Sequence, residues 1–297
     1  MNARMGDAGS AGDRLAVVTG SGGIGVACAR SLADRQVILV DLDREKLEAA
    51  AEALRTEGVS VETHVCDVSD RASTDALADA LAEREPVGVL VHTAGVSGTL
   101  CDSATVIRVN LGGFLNVLYS SETLVTAGTV GIFISSIGGH QEFTHHLDPL
   151  LAARGPLDRL EEAGALDVRS PSVAYAIAKR GVIVQCRKRA AAWGARGGRL
   201  LSISPGLIAD TPMGAASYEH GPGRPYAEWS ALGRNGRASE IAAVVRFLAS
   251  PDASFMTGCD VVIDGGLLAG IDHHVPLETR KSWHACAYTY LGHKPAS

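Results

Sequence analysis

Tyr175 and Lys179 stand four positions apart in Val173–Trp193, an Ala-rich stretch that predicts a helix. That spacing puts both side chains on one face, an ammonium beside a phenol. The positive neighbour favours the phenolate and lowers a pKa that is about 10 in isolation. A phenol tuned in this way exchanges a proton with an alcohol or a carbonyl near neutral pH. Alone the pair is weak, because its spacing arises by chance in many helices and Lys179 also reads as a solvated surface lysine. Its weight comes from what precedes it.

Gly20-Ser21-Gly22-Gly23-Ile24-Gly25 leaves a predicted strand and opens a predicted helix. Glycines at this spacing allow a tight turn and a close backbone approach, and the helix N-terminus favours a pyrophosphate. Asp41 closes the second predicted strand about twenty positions later, where an acid holds the adenosine ribose hydroxyls. A carboxylate there repels a 2′-phosphate, so NAD is expected rather than NADP. Asp43 reads as the N-cap of the next helix. Asp67, in Cys66-Asp67-Val68, either reaches the adenine edge or is a turn acid.

These residues must be carried by a regular alternation. Leu15–Thr19, Gln36–Asp41, Val59–Val65, Val87–Thr93, Thr129–Ser135, Arg199–Ser204 and Asp260–Asp264 read as strands, several apolar on both faces. Ile24–Asp34, Asp43–Glu57, Ser69–Glu85, Ala104–Ala127, Val173–Trp193 and Ser239–Leu248 read as helices. The expected fold is α/β: a doubly wound, Rossmann-type parallel sheet of seven strands with helices on both faces. One domain over 15–297 is expected, behind a flexible tail at 1–14.

Composition narrows the function classes. The chain has 297 residues, 46% hydrophobic and 20% charged, with a formal net charge of −6. That acidity argues against a nucleic-acid surface, and Arg187-Lys188-Arg189 reads as a solvated face or a subunit contact. No apolar run reaches membrane-span length, and Met1–Asp13 lacks the apolar segment of a signal peptide. Six scattered cysteines without a Cys-x-x-Cys pair suggest neither zinc nor a disulfide framework. His145-His146 and His273-His274 lack further ligands at metal spacing, so no metal is expected. A cytoplasmic protein follows.

Taken in order, these motifs resemble the short-chain dehydrogenase/reductase family from Leu15 to about Gly266. The resemblance adds His92-Thr93-Ala94-Gly95, where the family commonly has Asn-Asn-Ala-Gly. It also adds Asn110 in Val109-Asn110-Leu111-Gly112, Ser135-Ser136, Pro205-Gly206 and Asp264-Gly265-Gly266. Arg187–Gly194 and the long interval between Ser136 and Tyr175 are similar to the bacterial 3α-hydroxysteroid dehydrogenase/carbonyl reductase subgroup. The resemblance implies Tyr175 as general acid in reduction and base in oxidation, and Lys179 as its pKa partner and a ligand of the nicotinamide ribose. Ser136 would stabilise the developing alkoxide, and Asn110 would hold a water linking Lys179 to solvent. Alone, Ser136 reads as a strand end and Asn110 as a polar helix residue. Gly20–Gly25, Asp41, Asp67, Val68, Ala94 and Gly95 would line the dinucleotide. Past Pro205 and Gly206, the Ile208 backbone and the Thr211 hydroxyl would hold the carboxamide.

Five departures bear on function. The glycine turn is one residue shorter than the family's usual turn, which leaves open which glycine faces the pyrophosphate. His92 replaces an asparagine that mainly bonds the scaffold, and a structural histidine is expected there. Pro205–Thr211 is one residue longer than usual. Between Ser136 and Tyr175, residues 139–172 carry helical patterns at Leu147–Ala153 and Leu157–Ala165, read as a helical insertion over the active site or an oligomer interface. Beyond Gly266 an extension runs through 267–297, with Leu267–Ile271 on the sheet. Trp283, Tyr288 and Tyr290 dock on a neighbouring subunit or belong to a loose end.

The substrate region, Leu207–Arg237, is read as a loop-rich stretch with Met213, Tyr218, Tyr226 and Trp229 as apolar surface. Arg224, Arg234 and Arg237 form no obvious clamp for an anion. The expected activity is NAD(H)-dependent interconversion of a hydrophobic secondary alcohol, steroid-like or similar, and its ketone, in a homo-oligomer. A reductase of a different small carbonyl compound is one alternative. Another is a non-catalytic NAD(H) sensor, although such proteins usually lack part of the Tyr-Lys-Ser set. An epimerase would need a larger C-terminal domain than this chain supplies.

Overall fold

The computed structural model describes residues 14–153, 155–162, 168, 170–220 and 223–285. Among these, seven strands form one sheet: β1 (Leu15–Thr19), β2 (Val37–Asp41), β3 (Val61–Val65), β4 (Val87–His92), β5 (Val130–Ile134), β6 (Arg199–Pro205) and β7 (Asp260–Ile263). Their order is β3-β2-β1-β4-β5-β6-β7, and every pairing is parallel. Parallel strands are covered on both faces, and the residues alternate accordingly. Leu15, Val17, Ile38 and Val40 enter one core, whereas Ala16, Val18, Val37 and Leu39 enter the other.

The helices follow in chain order: α1 (Gly23–Ser31), α2 (Arg44–Thr56), α3 (Arg71–Ala82), α4 (Ser103–Val106), α5 (Phe114–Ser121), α6 (Asp148–Leu151) and α7 (Pro156–Glu162). After them come α8 (Pro171–Gly194), α9 (Pro212–His220), α10 (Gly223–Trp229), α11 (Ala238–Ala249), α12 (Leu267–His273) and α13 (Leu277–Ala285). The strand order reverses between β1 and β4, so a crevice opens at the carboxyl ends of these strands. Thr19, Asp41, His92, Ile134 and Pro205 end β1, β2, β4, β5 and β6 and mark its rim.

Three expectations need correction. The helix expected over Ala104–Ala127 is interrupted: a π-helical turn at Ile107–Gly113 separates α4 from α5. Gly112-Gly113 weakens the ladder there, and Asn110 is drawn out to bond Val96. Leu207–Arg237 contains two helices, α9 and α10, rather than chiefly loop. Thr211 starts the first of them by accepting from the Gly214 amide at 3.0 Å, with Pro212 next, a capped entry that the Gly and Pro content obscured. Leu267–Ile271, expected on the sheet, lies in α12, where Leu267 and Ile271 pack with Ile137 and Trp283 apart from the cores that flank the sheet, and α13 follows.

A 3-10 turn at Ile137–His140 leads into the 139–172 segment, which contains a second 3-10 helix at Glu142–Leu147, then α6, shorter than the pattern at Leu147–Ala153 suggested, and α7. It is tied to α8 by polar bonds. Arg180 donates to both oxygens of Asp148 at 2.7 and 2.5 Å, and Gln185 Nε2 donates to the carbonyls of Leu151 and Ala153. Sheet on one side and this segment on the other bury α8 all round from Val173 to Cys186 except at Tyr175, which is half-buried.

Candidate active site

The glycine turn is built by close backbone crossings. Gly20 has φ +94°, and a Cβ at Gly25 would fall 1.8 Å from the Gly20 carbonyl oxygen. Thr93 Oγ1 donates to the Thr19 carbonyl at 2.8 Å, fixing the strand beside the turn. Gly22 is the N-cap of α1 and has nothing within 4 Å of where its Cβ would lie, whereas a Cβ at Gly23 would strike the Thr211 methyl. Among the turn glycines, the open side is therefore at Gly22, ahead of the first amides of α1. That cradle suits a pyrophosphate.

Asp41 is placed at the end of β2, and Oδ2 accepts from both the amide and the hydroxyl of Ser21 at 2.6 and 2.8 Å. Oδ1 accepts from the Asp43 amide at 3.2 Å, and Asp43 itself caps α2 through the amides of Glu45 and Lys46. Asp67 uses Oδ1 to accept from the Ser69 amide and hydroxyl, so it shapes a turn at the crevice edge. Val68 is buried against Gly113.

On the other side of the switch point, a Cβ at Gly95 would stand 3.0 Å from Asn110 Oδ1 and 3.8 Å from Lys179 Nζ. Asn110 bonds both backbone groups of Val96, accepting at 2.8 Å and donating at 2.9 Å. Lys179 is buried, and Nζ donates to the Ile134 carbonyl at 2.9 Å and lies 5.6 Å from the Tyr175 ring centre. Burial pulls the Lys179 pKa down to about 8. The Ser136 hydroxyl hydrogen-bonds the Tyr175 phenol and also accepts from the Gly138 amide at 3.1 Å.

One electrostatic expectation is overturned. Burial raises the Tyr175 pKa, the Ser136 hydrogen bond tempers the rise, and the Lys179 charge is not among the causes. The phenol is thus held protonated, a proton donor rather than a ready-made phenolate. The Thr211 hydroxyl also differs from expectation: it donates to the Ile208 carbonyl at 2.9 Å and caps α9, so in this structure it serves the loop. His92 is scaffold, with Nδ1 2.7 Å from Thr19 Oγ1, and burial followed by the Lys179 charge lowers its pKa to about 3.

The trio Ser136, Tyr175 and Lys179 is brought together, with Asn110 and Gly95 adjoining and the glycine turn, Asp41 and Pro205-Gly206 along the same crevice. A neutral phenol and a serine hydroxyl side by side can protonate and steady an oxygen that is gaining charge.

Residues 18–268 match a family model described as enoyl-(acyl carrier protein) reductase. The 3-alpha-hydroxysteroid dehydrogenase/carbonyl reductase of Comamonas testosteroni is 31% identical, over 75% of this chain and 90% of that protein. The chain is a short-chain dehydrogenase/reductase. The D-threitol dehydrogenase of Mycolicibacterium smegmatis is 32% identical, over 85% of this chain and 92% of that one. A crystal structure of actinorhodin polyketide ketoreductase with NADPH superposes with a TM-score of 0.70 at 25% identity, covering 86% and 97% of the two chains. As a member of this family the chain is an oxidoreductase acting on alcohols and ketones with a nicotinamide cofactor. Among the described residues, no helix is long and apolar enough to cross a membrane.

Three features escaped the sequence reading. Ser135 Oγ donates to the Lys179 carbonyl at 2.8 Å, which joins the end of β5 to α8. His140 Nε2 lies 2.9 Å from Asp260 Oδ2, and Ser202 donates to Oδ1 at 2.5 Å, so the turn after Ser136 is anchored to β7. Burial opposes ionisation of Asp260, but the hydrogen bonds outweigh it and keep the carboxyl below its ordinary range. Trp283 docks on its own chain, donating to Tyr226 Oη at 3.0 Å. Tyr288 and Tyr290 lie outside the described residues.

Proposed function

We propose that this short-chain dehydrogenase/reductase uses NAD(H) to interconvert an uncharged, hydrophobic secondary alcohol, steroid-like or of similar character, and its ketone. The observation that carries this reading is the convergence of the Tyr175 phenol, the Ser136 hydroxyl and the buried Lys179 ammonium beside the crevice. When bound, the nicotinamide supplies the hydride donor for carbonyl reduction and the acceptor for alcohol oxidation.

In reduction, Tyr175 Oη gives its proton to the carbonyl oxygen while Ser136 Oγ donates a hydrogen bond to that oxygen. In oxidation, Tyr175 takes the proton back. The buried Lys179 ammonium, held beside the Tyr175 ring by the Ile134 carbonyl, contacts the ribose, and Asn110 holds a water that returns the proton from solvent. Gly20–Gly25 cradle the pyrophosphate, with Gly22 giving the closest approach. Asp41, its Oδ2 held by Ser21, offers Oδ1 to the ribose hydroxyls and disfavours a 2′-phosphate. Asp67, Val68, Ala94 and Gly95 border the adenosine side. Ile208 holds the carboxamide through its backbone, and Thr211 does so only if its hydroxyl leaves the Ile208 carbonyl.

Similarity to D-threitol dehydrogenase offers a polyol as substrate instead. The apolar group of Ile137, Tyr226, Trp229 and Trp283 next to Ser136 favours the hydrophobic one. Free thiols at Cys28, Cys66, Cys101, Cys186 and Cys259 support a cytoplasmic setting. Exposed Phe247, Phe255 and Val262 near the edge strand β7 support a homo-oligomer.

The test is Tyr175→Phe with a panel of hydrophobic secondary alcohols, read at the NADH absorbance band. Turnover should fall by at least about a thousandfold, with the Kd for NADH within threefold of wild type. NADH should bind more tightly than NADPH. Full activity in the variant, or tighter NADPH binding, defeats the corresponding part of the reading.

A further inference from the structure

The residue after Ser136 leads away from the proton chemistry to the carboxyl end of the chain. Ile137 is buried in a small cluster with Leu267, Ile271, Val275 and Trp283, against which Tyr226, Trp229 and Leu268 are packed. This cluster is separate from the two cores that flank the sheet. It joins three stretches remote in sequence: the turn carrying Ser136, helix α10, and α12–α13.

Its polar lock is the bond from Trp283 Nε1 to Tyr226 Oη. Tyr226 in turn stands at ring distance from Trp229, with centroids 6.0 Å apart, so the two aromatics of α10 brace one another. The turn that carries Ile137 meets the chemistry directly, since a Cβ at the next residue, Gly138, would stand 3.5 Å from the Tyr175 ring, and the Tyr226 phenol disfavours ionisation of Tyr175. On its other side, Tyr226 and Leu267 line a cavity of about 100 Å³ with Gly206, Leu207 and Ile208. Tyr226 therefore adjoins the segment expected to meet the nicotinamide. Trp283, only 8% exposed, is packed behind it through their bond.

We infer that Trp283, pinned by Tyr226 and backed by Ile137, Leu267 and Ile271, is the wall that limits the substituent a substrate carries on the Ser136 side of its carbinol carbon. This deepens the function proposed above and rests on it. The wall comes from the same subunit as the Tyr175 it encloses. It is made of aromatic and aliphatic groups, so it meets an apolar flank, whereas Arg234, Glu240 and Asp264 line other parts of the neighbouring cavity. A rigid indole held at its nitrogen cannot swing away as a free side chain would, and this makes the limit one of size rather than of polarity. The substrates that fit are secondary alcohols with one compact flank at the wall and their hydrophobic bulk directed elsewhere, as in a methyl carbinol or a ring alcohol entering by its edge.

The experiment compares kcat/KM for 2-octanol and 4-octanol in the full-length protein with NAD, for wild type, Trp283→Ala and Tyr226→Phe. The two alcohols have the same formula and differ in whether the smaller flank is methyl or propyl. Wild type should prefer 2-octanol. The 4-octanol/2-octanol ratio should rise at least tenfold in Trp283→Ala, and less in Tyr226→Phe, which keeps the ring and removes the hydroxyl that forms the lock. A ratio unmoved in both variants overturns the inference, and a uniform loss on both alcohols does the same, because a purely structural role would not discriminate between them.

If wild type turns over neither alcohol, the functional reading fails on its own and the wall is tested without catalysis. Emission from Trp283, isolated as the difference between wild type and Trp283→Phe, should be quenched by 2-octanone in the NADH-bound protein. Absence of quenching overturns the wall. Quenching by 2-octanone but not by 4-octanone supports it.

Discussion

The two sides of the crevice are held by different means. Around β1, α1 and β4 the cofactor side is set by backbone crossings and by bonds in which a backbone group takes part: Gly25 on Gly20, Thr93 on Thr19, Ser21 on Asp41. The substrate side, built from residues 137–162, α9–α10 and α12–α13, is held by side chains meeting across long stretches of chain: Arg180 with Asp148, Trp283 with Tyr226, His140 with Asp260. Backbone crossings leave one residue type at a position. Side-chain ties can be exchanged for others of similar shape, and this is the side on which members of one family would be free to differ.

The contrast is easiest to break at Gly25. Gly25→Ala should destabilise the protein by about 3 kcal/mol or more, since the added methyl meets a carbonyl oxygen that has nowhere to go. Gly22→Ala, pointing into open space, should change stability by about 1 kcal/mol at most while raising the Kd for NADH at least tenfold. Urea unfolding and NADH fluorescence measure the two effects. Equal stability losses would remove the distinction between a packing glycine and a ligand-facing one.

On the substrate side, Asp148→Ala leaves the Arg180 guanidinium, itself 10% exposed, without its carboxylate. Because the Asp148 side chain is 35% exposed and water partly screens the pair, the expected loss is about 2 kcal/mol rather than that of a fully buried pair. Replacing both, with Arg180→Met added, should recover most of it by urea unfolding. A double variant as unstable as the single one would show that the segment depends on something other than this tie.

The effect that is smallest at neutral pH, and grows as the medium is acidified, is at His92. His92 has an ordinary value of 6.5 and is held at about 3 in the folded protein, first by burial and then by the Lys179 charge. Between those values the unfolded chain binds the proton and the folded one does not. The stability this histidine contributes is therefore present above pH 6.5 and is lost as pH falls towards 3. The slope should approach about 1.4 kcal/mol per pH unit. In His92→Asn the wild-type disadvantage should shrink accordingly, as thermal melts from pH 7 to 4 would show. Parallel curves would mean that His92 charges without leaving its place.

What could be read from the residues follows the same division. The strand-turn-helix at Leu15–Ser31, the Asp43 cap and the placing of Tyr175 and Lys179 on one buried face all rest on interactions a few positions apart, and local pattern reports those. The π turn at Asn110 was hidden inside an apolar run because its cause, a bond to Val96 across a loop, leaves no period in the sequence. Helices α9 and α10 were hidden by prolines and glycines that lie at their ends rather than within their middles. The direction of the Tyr175 shift depended on how dry the site is, which four-residue spacing does not encode. The Tyr226–Trp283 bond joins two short helices from opposite ends of the substrate region, and neither helix announces the other.

The bond from Ser135 to the Lys179 carbonyl, and the one from Lys179 to the Ile134 carbonyl, stitch the end of β5 to the middle of α8 in both directions. Serine, tyrosine and lysine consequently ride on a single rigid body. Their mutual spacing is inherited as a unit, and selection for a new substrate can remodel the surrounding loops without having to rediscover the chemistry.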